Sequence, residues 1–289
     1  MIAAEECVVG DAWFRVDKSP IPTVGQQLAV LKSSVFPNIL SVSPDQLSLS
    51  LAGASSPVFQ RVYGLLMSMK FYNLVASQLR RKEIFDPGWG MAGDGANAAS
   101  TLLRMSETPD KARILEYLKQ ILPTLIQIDT LQLTDSSLLL RFEEEFGDGI
   151  KYFFPHDISD GTMRALGILL ALFRPYGGFI GIEEPETALH PGASAVLLDA
   201  LREASEQRQV LVTTHSPDLL DLMDVHSDTI LAVSKSNGGT VIAPIDSVGL
   251  SVIREGLYKP GELMRMEQLI PATNSPEARE TNLFDLGQL

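Results

Sequence analysis

From His156 onward the chain alternates helix-length and strand-length segments in quick order: "SDGTMRALGILLALF", "GGFIGIEE", "ASAVLLDALREASEQ", "QVLVTTHS", "SPDLLDLM" and "DTILAVSK". The strand-length runs are continuously apolar, as expected of strands buried on both faces. Strands of that kind separated by helices build a parallel sheet with helices packed against it. In such sheets a ligand sits at the carboxyl ends of the strands. Polar residues lie at those ends here, Glu183-Glu184 after one strand and Thr214-His215-Ser216 after the next.

The preceding residues read differently. To about Pro57, short apolar runs are broken by Gly, Pro and Ser, and "VVGDAWFRVD" alternates as a strand or hairpin does. From Val58 to Lys82 the three- and four-residue spacing of Phe59, Val62, Tyr63, Leu66, Met67, Leu74, Val75 and Leu79 predicts helix. A glycine-rich loop, "DPGWGMAGDGAN", leads into the helix "NAASTLLRMS". A second helix, "PDKARILEYLKQILPTLIQI", starts with Pro109-Asp110 in its first turn. "TLQLTDSSLLLRFEEEF" reads as two strands joined by a polar turn, and "IKYFF" as a third. The expected organisation is the remnant of an N-terminal β lobe over 1–57, a helical and β lid insertion over 58–154, a C-terminal α/β lobe over 155–270 and a flexible tail over 271–289.

Composition narrows the partners. At 45% hydrophobic and 20% charged, the 289 residues suit a soluble chain able to bury a core. A net charge of −13 gives no support to a basic nucleic-acid groove. The one dense basic stretch, "LRRK" at Leu79–Lys82, reads more simply as the solvated end of a helix. A single cysteine, Cys7, excludes an internal disulfide and fits a reducing, cytoplasmic setting. The N-terminus lacks the apolar run of a signal peptide, and the most apolar window is broken by Arg174, Pro175 and Gly177-Gly178, so no membrane span is expected.

Three features carry chemistry. In "FIGIEEPETALHP" an apolar strand ends in Glu183 and Glu184, with Glu186 close behind. Carboxylates beside a buried strand are costly unless something positive faces them: a metal ion, a proton in transit or an arginine. One or two carboxylates with phosphate oxygens commonly hold Mg²⁺, and a neighbouring carboxylate can activate water. A structural salt bridge is the plain alternative. In "ISDGTMRAL", Ser159 can cap a helix whose free N–H groups suit an anion, and Gly161 permits close approach of the backbone. An ordinary N-cap explains this as well. In "TTHSPDLL", a histidine flanked by hydroxyls can reach a phosphate, or simply be a satisfied polar residue at a strand end.

Together, "SDGTMR", "IEEPETALHP" and "TTHSPDLL" resemble the signature, Walker B and switch-histidine motifs of ABC-type ATPases of the RecF/SMC-like group, often placed among the AAA-like proteins. The "GDGAN", "GTVIAPI" and "KPGEL" segments are similar to recurrent segments of the same group. The resemblance covers roughly Phe59 to Ile270. It implies a P-loop NTPase fold of ABC type, α/β with a largely parallel sheet covered by helices on both faces and an α+β lid insertion. It further implies ATP and Mg²⁺ as cofactors, with Glu183 holding the metal, Glu184 as catalytic base and His215 at the γ-phosphate. Ala188 to Pro191, with His190, correspond to the loop at the dimer contact. Ser159, Gly161 and Arg164 correspond to the signature that meets nucleotide bound by the opposite protomer.

One motif of the group is absent. No lysine follows a glycine, so G-x-x-x-x-G-K-[ST] does not occur, and the nearest stretch, "VDKS" at Val16–Ser19, has Ala12 and Asp17 where glycines are required. The expectation is a truncated or split ATPase that acts as a homodimer or with a chain supplying the phosphate loop. A separate nuclease is a candidate effector, in DNA maintenance or defence against foreign DNA. The alternatives are a non-catalytic interaction module and a metal-dependent hydrolase using Glu183, Glu184, Glu186 and His190. A sheet lacking its first unit is also expected to expose an edge and an apolar face.

Overall fold

The structure is a computed structural model. It describes residues 5–9, 11–17, 29–35, 40–42, 49–88, 90–105, 108–134, 136–174, 178–224, 228–236 and 239–272. Lys18 and Ser19 of "VDKS", and all of the expected tail but Pro271 and Ala272, lie outside them. The described residues divide after Met69 into two compact units.

In the first unit, β1 (Glu5–Val9) and β2 (Ala12–Asp17) form the antiparallel hairpin that their alternation predicts. Strands β3 (Ala29–Ser33) and β4 (Leu40–Val42) extend it into a four-stranded meander. Helices α1 (Leu49–Ser55) and α2 (Pro57–Ser68) follow. Phe14 and Phe59 meet edge-to-face at 5.1 Å at the centre of this unit's core, a geometry that suits the quadrupoles of the two rings.

The second unit begins with β5 (Lys70–Tyr72), α3 (Ala76–Leu79) and β6 (Glu83–Ile84), then α4 (Ala98–Arg104) and α5 (Pro109–Ile121). The three expected lid strands follow as β7 (Leu125–Thr134), β8 (Ser137–Phe146) and β9 (Gly149–Phe153), all antiparallel. Then come α6 (Asp160–Leu172), β10 (Phe179–Glu183), α7 (Pro191–Ser205), β11 (Gln209–Thr213) and α8 (Pro217–Leu220). The described chain closes with β12 (Leu231–Ser236), β13 (Gly239–Pro244), α9 (Ser247–Arg254) and α10 (Pro260–Arg265).

The fold is α/β: β11, β10 and β5 form a three-stranded parallel sheet, in that order. Its register sets the two faces. Tyr72, Ile180, Ile182, Val210 and Val212 point into one core with the buried residues of α6 and α7. Helix α6 is apolar around almost its whole circumference, and every residue from Ala165 to Leu172 is buried, as a central helix requires. The opposite face carries Phe71, Gly181 and Leu211, and Phe71 is 63% exposed. A Cβ on Gly181 would lie 2.5 Å from the Phe71 ring, so glycine is what lets that ring lie across the strand.

Two expectations are corrected. The helix expected across Val58–Lys82 stops at Ser68, and the residues after it supply β5 and α3. The helical spacing of Leu74, Val75 and Leu79 is produced instead by a strand, a loop and a short helix, because pairing with β10 outweighs local periodicity. "DTILAVSK" does not join the parallel sheet either. It becomes β12 and pairs antiparallel with β13. The third parallel strand is β5. No helix among the described residues is long and apolar enough to cross a membrane.

Candidate functional site

The carboxyl ends of β5, β10 and β11 bring Asn73, Glu183 and Thr213 into one row. Glu183 is in register with Thr213, and the Asn73 side-chain amide donates to the Glu183 carboxylate at 2.8 Å. These three, with Phe71, Tyr72, Gly93, Asp94, Gly181, Ile182 and Leu211, line a cleft of about 420 Å³. The "GDGAN" loop forms one wall, since Asn73 N–H donates to the Gly93 carbonyl and Val75 N–H to that of Asp94.

Beyond Glu183 the chain turns sharply. Glu184 adopts φ +42° and Ala188 φ +66°, left-handed values that cost a non-glycine residue energy unless its surroundings hold it there. Here they do. Glu184 N–H donates to the Thr213 carbonyl (2.9 Å), and the Glu184 carbonyl accepts from Arg164 Nη2 (3.0 Å). Glu186 accepts a hydrogen bond from the Thr214 hydroxyl, which in turn accepts Ser216 N–H at 2.9 Å. This clasps the turn carrying exposed His215 to the turn carrying the carboxylates.

The start of α6 packs on the same turn. Ser159 is its N-cap, with its hydroxyl accepting Thr162 N–H at 3.1 Å. A Cβ on Gly161 would lie 2.4 Å from the Ala188 carbonyl oxygen, so the close approach this glycine permits is to the protein's own loop. Arg164 spans the site, donating to the carbonyls of Leu74 and Glu184. His190 caps α7 through Nδ1, which accepts Gly192 N–H at 3.2 Å. Arg80 of "LRRK" is not simply solvated. It pairs with Asp160 and donates to the carbonyls of Pro155 and Ile158, fixing the chain as it enters α6.

All eight residues singled out in the sequence, Ser159, Gly161, Arg164, Glu183, Glu184, Ala188, His190 and His215, therefore fall on three adjoining segments joined by these contacts. Asn73 and Asp94 were missed. Asn73 is a polar residue directly after the apolar "KFY", the same signal that marks Glu183, but the helical reading concealed it. Electrostatically, none of the ion pairs among the described residues involves Glu183, Glu184 or Glu186, and Arg164 is committed to backbone carbonyls. The salt-bridge explanation thus fails. An exposed carboxylate beside neutral amide and hydroxyl oxygens is a donor set that a hard cation could use together with other oxygen ligands. No group of three or more His, Cys, Asp or Glu among the described residues is placed to hold a metal alone, which removes the four-residue hydrolase arrangement.

A family model described as "AAA domain, putative AbiEii toxin, Type IV TA system" matches residues 74–221, and that span contains all three motifs. No curated protein matches the chain. Solved structures that resemble it include one reported for ATP-driven dimerization and DNA-stimulated activation of SMC ATPases (17% identity, TM-score 0.39, covering 54% of this chain and 96% of that one). The SMC head domain from Thermotoga maritima also does (12% identity, TM-score 0.37, covering 81% and 74%). So does the Smc head domain with an extended coiled coil from Pyrococcus furiosus, bound to the C-terminal domain of ScpA (17% identity, TM-score 0.40). This chain is covered over 53% of its length there and spans 38% of that structure's chain. By the family match, which takes in just over half of its residues, the chain belongs to this AAA-domain family.

Proposed function

We propose that the strand-end site binds Mg-ATP and hydrolyses it in a cycle of dimer closing and opening, in DNA maintenance or defence against foreign DNA. The observation that carries this is the row Asn73–Glu183–Thr213 with carboxylates that no protein cation neutralises. Glu183 would hold Mg²⁺, which when bound supplies positive charge to the phosphates. Asn73 orients the Glu183 carboxylate toward the cleft. Glu184, its backbone fixed by Thr213 and Arg164, is the base that takes the proton of the attacking water. His215 reaches the terminal phosphate from the adjoining turn. Ser159 and the turn from Ala188 to Pro191 face a partner protomer, and Arg164 holds that turn in shape rather than reaching across. Residues 155–270 act as the catalytic lobe, and 58–154 as the lid, with β5 lent to the parallel sheet.

The sequence has no phosphate-cradling glycine-lysine loop, so the reading has that cradle supplied by a segment outside this sequence, of the same or another polypeptide. A second reading, a non-catalytic interaction module, draws support from the exposed Phe71 on the open sheet face. Calorimetry with Mg-ATP on the chain and its Glu184→Gln variant separates the two. Binding that is retained or tightened while turnover is lost in Glu184→Gln supports the ATPase. Absence of binding by this chain alone fits a site completed by a segment outside this sequence, whereas turnover indifferent to Glu184→Gln favours the interaction module.

A further inference from the structure

The "KPGEL" segment lies outside the three segments that form the strand-end site. It opens α10, whose first turn is fixed by Lys259 N–H donating to Glu262 Oε2 at 2.7 Å. Leu263 of the same helix is buried with Ile245 and Ile253, so "GTVIAPI" and α9 both support α10. Helix α10 in turn meets α8. Gly261 N–H donates to Asp221 Oδ1 at 2.8 Å, and Arg265 pairs with Asp221 at 3.1 Å and with Asp218. A Cβ on Gly261 would overlap the Pro217 carbonyl oxygen, so only glycine permits this approach of backbone to backbone, as Gly161 does at Ala188.

Helix α8 is a single turn of four residues, too short to hold an orientation by its own hydrogen bonds. Its surroundings must hold it. Leu219 and Leu220 are buried, Arg202 Nη2 donates to the Leu222 carbonyl at 3.1 Å, and α10 grips Pro217, Asp218 and Asp221. The Ser216 hydroxyl accepts Leu219 N–H at 3.3 Å, and Ser216 N–H donates to the Thr214 hydroxyl that reaches Glu186. His215 sits between them, exposed. No hydrogen bond among the described residues holds its imidazole, so the backbone on either side sets where it points.

We propose that α10 is the positioning element for His215: Gly261, Asp221 and Arg265 fix the one-turn helix α8, and through it the backbone from which the His215 imidazole reaches the strand-end site. The inference rests on the reading that His215 meets the terminal phosphate. A misplacement of about 1 Å in a reacting assembly can cost about a hundredfold in rate, so a histidine on an unsupported turn would be a poor catalyst. Arg265 and Asp218 are exposed, and their ion pair alone would be weak. The contact of Gly261 with Pro217 is between backbones, which side-chain rotation cannot relieve, and it gives the clamp its stiffness.

NMR on the full chain without nucleotide tests this, reading the backbone amide and imidazole signals of His215, assigned by comparison with His215→Gln. Gly261→Ala forces α10 away from Pro217, and Asp221→Ala removes both the acceptor of Gly261 N–H and the carboxylate that Arg265 pairs with. Ile253→Ala is the control, since it strips a buried side chain from the same small core without touching α8. The His215 signals should shift or broaden in Gly261→Ala and Asp221→Ala, and stay in place in Ile253→Ala even where its Tm falls as far. Unmoved signals in both clamp variants overturn the proposal. An equal displacement in Ile253→Ala also overturns it, because general loosening would then be the cause. If Gly261→Ala does not fold, Asp221→Ala against Ile253→Ala decides alone. Turnover separates this inference from the reading beneath it. Where the His215 signals move, kcat should fall about ten- to a hundredfold with KM little changed. Displaced signals with unchanged kcat support the clamp and count against His215 acting on the phosphate.

Discussion

Asn73 and Glu183 are 110 residues apart in sequence, and the amide of one donates to the carboxylate of the other at 2.8 Å across two neighbouring parallel strands. Asn73 is neutral, so it orients the carboxylate without cancelling its charge. A lysine in its place would form the ion pair that the site otherwise lacks.

Asn73→Ala should therefore leave the fold intact, because the side chain is exposed, and weaken Mg-ATP binding about three- to tenfold through loss of a hydrogen bond to a charged group. Asn73→Lys should weaken it further by occupying Glu183 with an ammonium. Calorimetric affinities equal to wild type in both variants would remove Asn73 from the site.

Gly161→Ala puts a methyl group against a backbone carbonyl rather than a flexible side-chain end. The expected cost is about 1–3 kcal/mol, as for other overpacked contacts, read from the urea midpoint at unchanged m-value. A loss below a few tenths of a kcal/mol would mean the turn at Ala188 yields easily.

Arg164→Lys keeps the charge but replaces a two-armed fork with one ammonium, which cannot hold the Leu74 and Glu184 carbonyls in the same way. Stability should fall by roughly 1–2 kcal/mol. Glu184, released from its left-handed backbone, should lose its catalytic position, lowering kcat more than it raises KM. A KM effect alone would instead place Arg164 in nucleotide binding.

Glu83 offers a test by pH. It is 9% exposed and accepts the N–H groups of Ala99 and Ser100 at the start of α4, yet burial, the largest influence, raises its pKa above the ordinary 4.5. A carboxyl group raised in the folded state binds protons more tightly there than in the unfolded chain. Its contribution is thus fully present below pH 4.5 and is lost as pH rises through the folded value. Glu83→Gln keeps an acceptor and removes the titration. The difference in stability, variant minus wild type, should therefore grow more positive from pH 4.5 toward neutrality, and a difference independent of pH would contradict this assignment.

Much of this was legible in sequence where the signal is local. Helix α6 with its Ser159 cap, the apolar strands β10 and β11, and the β7–β9 strands all follow from periodicity and from residues that cap or turn the chain. Strand β5 was hidden because its three residues are too few to show a period of two, and Leu74 and Leu79 happen to fit a helix. The roles of Gly161 and Arg164 were hidden for a different reason. Their partners, Ala188, Leu74 and Glu184, lie 20 to 90 residues away, so only the folded chain shows that both serve the protein's own turn.

The pleat of the parallel sheet also governs how this protein can vary. In β5, β10 and β11 the odd-numbered side chains face the cleft and the even-numbered ones the helices, with all three strands held in one register. Dropping a single residue from β10 would turn Glu183 toward α6 and α7 and present an isoleucine to the cleft, exchanging a strand-end carboxylate for a core residue in one step. Length changes in these strands are therefore admissible only in pairs, whereas the loops between them are free of that parity. Across a lineage, insertions should accumulate in the connections and be purged from the thirteen residues that carry the odd–even code.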